Sequence, residues 1–183
     1  LVEAYWFDND PPRMLEAALH AVNHAERAGP SPELARAYAT LALATGGSSL
    51  HPVAEAYEAR ARALLADLDD PAMEAQALFV LGVYRIGLGD WARVDQDVPR
   101  AEAISERIGE SRFHGESLTV KGMSLLYRGR LDEARQAFEA TARAAVRSGN
   151  PQHRIWSLLG RAECALRSGE VEQGEALLDE ARP

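Results

Sequence analysis

Lysine is almost missing from this chain: Lys121 stands alone, and arginine supplies the other 19 of its 20 Lys and Arg residues. Against them stand 28 Asp and Glu, a formal net charge of −8. No run of basic residues exists, which excludes the cationic face that a duplex-binding protein presents to phosphates. Cysteine is represented by Cys164 alone, so no internal disulfide framework is available, and a reducing, cytoplasmic compartment is the expectation. No apolar run approaches the roughly 20 residues that a membrane-spanning helix needs. No secretory signal is visible, and runs of β-branched residues are absent. The arginine bias, with abundant Ala, Leu and Glu, points to a GC-rich bacterial coding sequence. The chain opens on the apolar "LVEAYWF" and closes on "LLDEARP", and it is read as a segment of a longer protein.

What is present is a period. Gly89, Gly129 and Gly169 lie at 40-residue steps, and stepping back reaches Ser49 and then Asn9. Half a period away run Gly29, Asp69, Gly109 and Gly149, with Pro30, Pro71 and Pro151 close behind three of them. Glycine and asparagine accept the left-handed conformation that ends a helix, and proline suits the first turn of the next. Between these breaks the side chains keep register. Leu78, Leu118 and Leu158 align with Tyr38. Small residues recur at Ala37, Ala77, Ser117 and Ser157, at Ala42, Gly82, Gly122 and Ala162, at Ala54, Val94, Ala134 and Gly174, and at Ala21, Ala61, Ala101, Thr141 and Ala181. Small residues at fixed positions let helices approach closely.

The segments between breaks are rich in Ala, Leu, Glu and Arg, and in "LDEARQAFEATARAAV" the apolar residues fall at steps of three and four. The expectation is an all-α chain with helices over 1–7, 12–28, 33–45, 51–68, 72–88, 91–108, 112–128, 131–148, 152–168 and 171–182. Short connections make neighbouring helices antiparallel and stacked in sequence order. The whole chain, 1–183, is read as one domain of about four and a half hairpin repeats: 1–28, 33–68, 72–108, 112–148 and 152–182.

Three stretches resemble the tetratricopeptide repeat. "LFVLGVYRIGLGDW" supplies Leu78, Leu81, Gly82 and Gly89; "LYRGRLDEARQAFEATA" supplies Gly129, Leu131, Ala134, Phe138 and Thr141; "CALRSGEVEQGEALLDEA" supplies Gly169, Gly174, Leu178 and Ala181. The period is longer than that family's, which is about 34, and the family's late proline in the second helix is missing. "GPSPELARAYATLAL" and "GVYRIGLGDWAR" are similar to the C-terminal helical region of bacterial signalling ATPases fused to adenylate or guanylate cyclase domains. The resemblance implies a right-handed superhelical solenoid and a protein-binding role. It also implies that the first helix of each hairpin lines a concave face. The residues projected onto that face are Arg36, Ala39 and Leu43; Gln76, Phe79 and Val83; Glu116, Thr119 and Met123; and Trp156, Leu159 and Glu163.

Catalytic constellations are not found. The glycines of "GVYRIGLGDW" lack the Gly-Lys-Ser/Thr of a phosphate loop, and Ala92 stands where a dinucleotide loop needs its third glycine. Gly89 is read instead as a helix end, with Asp90 capping the helix that starts at Trp91. His20 and His24 share a helix face without a third metal ligand. Asp67, Asp69 and Asp70 read as helix caps, not a calcium loop. Asp95 and Asp97 read as solvated, and Arg85, Arg128, Arg130, Arg154 and Arg161 as surface partners of carboxylates. Trp91 and Tyr127 read as packing residues near turns, and Cys164 as a buried inert thiol.

The functional expectation is a non-catalytic scaffold needing no cofactor or metal. Its partners are a protein or peptide, other domains of the same chain among them, with no nucleic acid and no membrane. Self-association through the end faces is a further expectation. The alternative is a sensor that binds a small ligand or peptide in the concave groove and regulates attached ATPase or cyclase domains.

Overall fold

The computed structural model describes residues 10–182, and the expected helix over 1–7 and the turn at Asn9 lie outside them. Nine α-helices and no strand occur among the described residues. They are α1 (Pro11–Ala28), α2 (Pro32–Gly47), α3 (His51–Asp67), α4 (Pro71–Leu88), α5 (Trp91–Ile108), α6 (Ser111–Tyr127), α7 (Leu131–Ser148), α8 (Pro151–Arg167) and α9 (Val171–Ala181). The chain forms two compact units, Leu1–Asp90 and Trp91–Pro183. The division falls inside "GDW", between the two helices of the 72–108 hairpin.

Within each unit the helices pack on their sequence neighbours, and the first helix of one hairpin also packs on the first helix of the next: α2 on α4, and α6 on α8. Cap chemistry explains the boundaries. Asp10, Ser31, Asp70 and Asn150 accept backbone N–H groups of the following first turn, and each is followed by proline. At the other ends, the N–H of Leu50, Asp90, Arg130 and Glu170 reaches back to the carbonyl of Thr45, Arg85, Leu125 and Ala165 at 2.9–3.0 Å. This six-residue closure requires a left-handed residue just before the donor. Gly89, Gly129 and Gly169 supply it, with φ of 69°, 74° and 81°. Ser49, φ 61°, is the one non-glycine residue described with positive φ. Asp69 departs from its series. Leu68 leaves α3 in an extended conformation, and Asp69 is not left-handed.

The small-residue columns are the inside of the repeat. Ala54, Val94, Ala134 and Gly174 are buried, as are Ala61, Ala101 and Thr141. Ala21 is the correction: it is exposed, because the larger Val22, one residue further round α1, turns inward with Met14 and Ala18. The glycines of these columns hold space for rings. A methyl group on Gly122 would come within 2.7 Å of the Phe138 ring, and one on Gly160 would overlap that ring from the α8 side. Gly46 is covered by Tyr84 and Gly115 by His153 in the same way. Gly87, by contrast, has open space around it, and α4 runs through it to Leu88.

Candidate functional site

The twelve residues projected onto the first helices occupy three columns at 40-residue steps, and the columns have different fates. Ala39 and Thr119 are buried, Phe79 is half-buried and Leu159 is exposed. Ala39 clusters with Ala77 and Leu81 of α4, and Thr119 is enclosed instead of lining a surface. Its hydroxyl donates back to the Gly115 carbonyl at 2.9 Å. In the column 36/76/116/156, Arg36 is exposed and Trp156 half-buried, while Gln76 and Glu116 are buried. The Glu116 carboxylate takes the Arg112 Nε at 3.0 Å, so it serves its own helix. Only the column Leu43, Val83, Met123 and Glu163 is half-buried in all four helices. Met123 there also packs on the cluster of Leu126, Ala134, Phe138 and Cys164. The first unit brings together Arg36, Leu43, Gln76, Phe79 and Val83; the second brings together Glu116, Thr119, Met123, Trp156, Leu159 and Glu163.

The densest polar chemistry lies elsewhere, in the first unit, at residues expected on the surface. Arg85 is 4% exposed. Its guanidinium donates to both oxygens of Glu55, at 2.8 and 2.9 Å, and to Glu58, with Asp90 at 3.3 Å. Glu58 is 1% exposed and also accepts from Arg62 Nε, one turn along α3, at 2.8 Å. Burial lowers the pKa of Arg85, but the bonds to Glu55 and Glu58 outweigh it and hold the guanidinium above its ordinary range. Arg85 is buried because its charge is matched there; an unmatched cation in that position would be expelled. The neighbouring Tyr84 ring lies over Gly46 and beside His51, with ring centroids 6.4 Å apart. Burial, and then the Glu55 charge, push its phenol pKa up. The charges of this cluster face one another, and the buried Arg85 Nε is left without a hydrogen-bond partner.

The period itself carried the signal for this cluster. Glu58 occupies the column of the buried Ala18, Val98 and Phe138 and the exposed Leu178, and Arg85 the column of the buried Thr45 and Ala165 and the half-buried Leu125. Two charges of opposite sign at core positions of adjacent repeats imply a pair. Asp97 is a similar correction. It is 3% exposed, because its column holds the buried Ala137 and Leu177.

The remaining candidates resolve simply. Arg128 donates to Asp95 at 2.7 Å and lies over the Trp91 ring at 4.9 Å. Arg130 pairs with Glu133, and Arg154 with Glu180 at 3.1 Å. Tyr127 is exposed, not packed, with Arg167 above its ring. His20 is exposed and 3.8 Å from Glu16; His24 is exposed too. Asp70 caps α4 through the Met73 N–H, and the Asp90 carboxylate faces Arg85. Cys164 is buried, which pushes its thiol pKa up and away from nucleophilic use. His153, 1% exposed, lies on Gly115 and against Trp156; burial and then the Arg112 charge hold its pKa below the usual value.

Among the described residues no three His, Cys, Asp or Glu side chains group as a metal site, and no helix is long and apolar enough to cross a membrane. A shallow polar depression in the second unit is lined by Ser105, Glu106, Glu110, Ser111, His114 and Arg147. No family model and no curated protein matches this chain.

Proposed function

We propose that this chain is a non-catalytic helical-repeat scaffold that makes protein–protein or intramolecular contacts within a bacterial signalling protein. One observation carries the reading: within each unit one column keeps part of its surface accessible on successive first helices, Leu43 and Val83 in the first unit and Met123 and Glu163 in the second. A row of accessible, mainly apolar side chains on repeated helices is what a helix or extended peptide recognises. Val83→Asp combined with Trp156→Ala is expected to lose the partner proteins retained by the unaltered chain while shifting its melting temperature little. A loss of stability without loss of partners overturns the reading.

The second reading, a sensor for a small ligand that biases attached ATPase or cyclase domains, is favoured by the His114-lined depression, where the His114 Nδ1 is buried without a hydrogen-bond partner. Thermal stabilisation by members of a metabolite library, removed by His114→Ala, is the result this reading requires.

A further inference from the structure

The polar depression of the second unit lies where the chain leaves α5 and enters α6, and the residues there differ from those at the matching breaks. Before α4 and α8 stand Asp70 and Asn150, whose side chains cap the next helix, followed by Pro71 and Pro151. Before α6 stand Glu110 and Ser111, and the Glu110 side chain makes no cap bond. One turn earlier, Glu106 occupies the column of Ala66 and Val146. Two carboxylates thus replace residues that cap or carry no charge at the other breaks.

The backbone beneath them is fixed. Gly109, φ 71°, lets the Glu110 N–H reach the Ser105 carbonyl at 3.0 Å, and its own N–H donates to the Glu106 carbonyl at 3.2 Å. Arg147, near the end of α7, brings a guanidinium to the same depression. Among the described residues, Glu106, Glu110 and Arg147 take part in no ion pair. Elsewhere in this unit arginines do meet carboxylates, as Arg135 meets Glu170 and Arg154 meets Glu180. Here the opposite charges line one space without meeting, and room is left between them.

The chemistry of the occupant follows from that arrangement. Two carboxylates against one guanidinium are complemented by two cationic groups and one carboxylate. A guanidinium receives a carboxylate through paired N–H donors, and a glutamate accepts from an ammonium. Ala144 is the one apolar side chain, glycine aside, in the lining, so an apolar molecule gains little there. The volume, about 230 Å³, lies below the roughly 300–1,000 Å³ typical of ligand pockets and restricts the occupant to a small molecule. We propose that this depression binds a free basic α-amino acid of the lysine or arginine class. Its two cationic groups lie on Glu106 and Glu110 and its carboxylate on Arg147. The assignment rests on the sensor reading, because it names what that depression holds.

The test titrates the whole isotope-labelled chain with L-lysine at constant ionic strength and follows the amide resonances of Gly109, Ser111 and His114. Saturable shifts are expected. Nα-acetyl-lysine, which lacks one cation, and 1,5-diaminopentane, which lacks the carboxylate, are each expected to bind more weakly, and glutamate not at all. Glu106→Gln with Glu110→Gln is expected to weaken lysine about tenfold, as the loss of two solvent-exposed ion pairs implies, and Arg147→Gln to remove the preference for lysine over the diamine. Both variants are expected to keep the circular-dichroism melt unchanged. The proposal is overturned if lysine gives no saturable shift, if any of the three comparison compounds binds as tightly, or if binding ignores the substitutions. Equal binding of Nα-acetyl-lysine would assign the site to the C-terminal residue of a peptide. A metabolite without these charges that stabilises the chain, and loses its effect with His114→Ala, would overturn this assignment and leave the sensor reading standing.

Discussion

The two units build the same inter-repeat contact from opposite chemistry. In the first, Glu58 projects from α3 and meets Arg85 from α4, both buried. In the second, Phe138 projects from the same repeat position of α7 and is received by Gly160 of α8 and Gly122 of α6. One contact is ionic and hydrogen-bonded; the other is a ring set into space left by two missing side chains. Val80 stands at the first unit's equivalent of Gly160, so a phenylalanine at position 58 would have no such space. Backbone geometry is common to both, down to the left-handed Ser49 and Gly129 that close α2 and α6. The repeat thus fixes where a side chain points, and each neighbouring pair is free to choose a matched filling. Matched fillings also discourage mispairing, because Glu58 opposite Gly160 or Phe138 opposite Arg85 would each leave a buried group unsatisfied.

The largest expected effect breaks the ionic contact from one side. Glu58→Ala leaves Arg85 buried with fewer acceptors and is expected to cost about 3–5 kcal/mol in urea unfolding. Glu58→Leu with Arg85→Leu makes the first unit resemble the second and is expected to recover most of that loss. If the double replacement is as damaging as the single one, the ionic pair is not interchangeable with an apolar filling. Gly160→Ala attacks the other contact. Its new methyl group meets the Phe138 ring, and about 1–3 kcal/mol of destabilisation is expected; a neutral result would mean the ring moves aside without penalty.

The smallest effect concerns pH. His153 is held neutral by burial and by Arg112, so its folded pKa lies below the unfolded value of 6.5. The unfolded chain then binds more protons as pH falls below 6.5, and stability is present above that value and lost towards the folded pKa. Trp156, against the His153 ring, reports the change by fluorescence. His153→Gln is expected to flatten the decline in unfolding midpoint between pH 7 and about 5. An unaltered slope would assign the decline to other groups.

Much of this was legible beforehand because the signals are local. Glycine spacing placed the ends of α4, α6 and α8, and helix boundaries fell within about two residues of those expected. Proline after Asp70 and Asn150 placed the starts of α4 and α8. The projected stripe was less legible. Spacing along one helix names the face on which Thr119 and Leu159 lie, but burial depends on whether another helix follows. Thr119 is buried and Leu159 is 44% exposed, though the two share a column. Arg85 and Asp97 were misjudged for a related reason: residue type argues for the surface, and column position argues for the core. For Arg85 position prevails because Glu55 and Glu58 are brought within hydrogen-bonding reach.

By itself the sequence determined the all-α class, the 40-residue period, the left-handed helix ends and the columns of small residues. These depend on backbone conformation and helical periodicity, which act over a few residues. The tertiary structure alone decided which columns are enclosed, that Arg85 finds Glu55 and Glu58 across 30 and 27 residues of chain, and that the chain divides at Asp90 into two units. Those outcomes depend on which helix covers which, and burial and charge pairing between distant segments have no local signature.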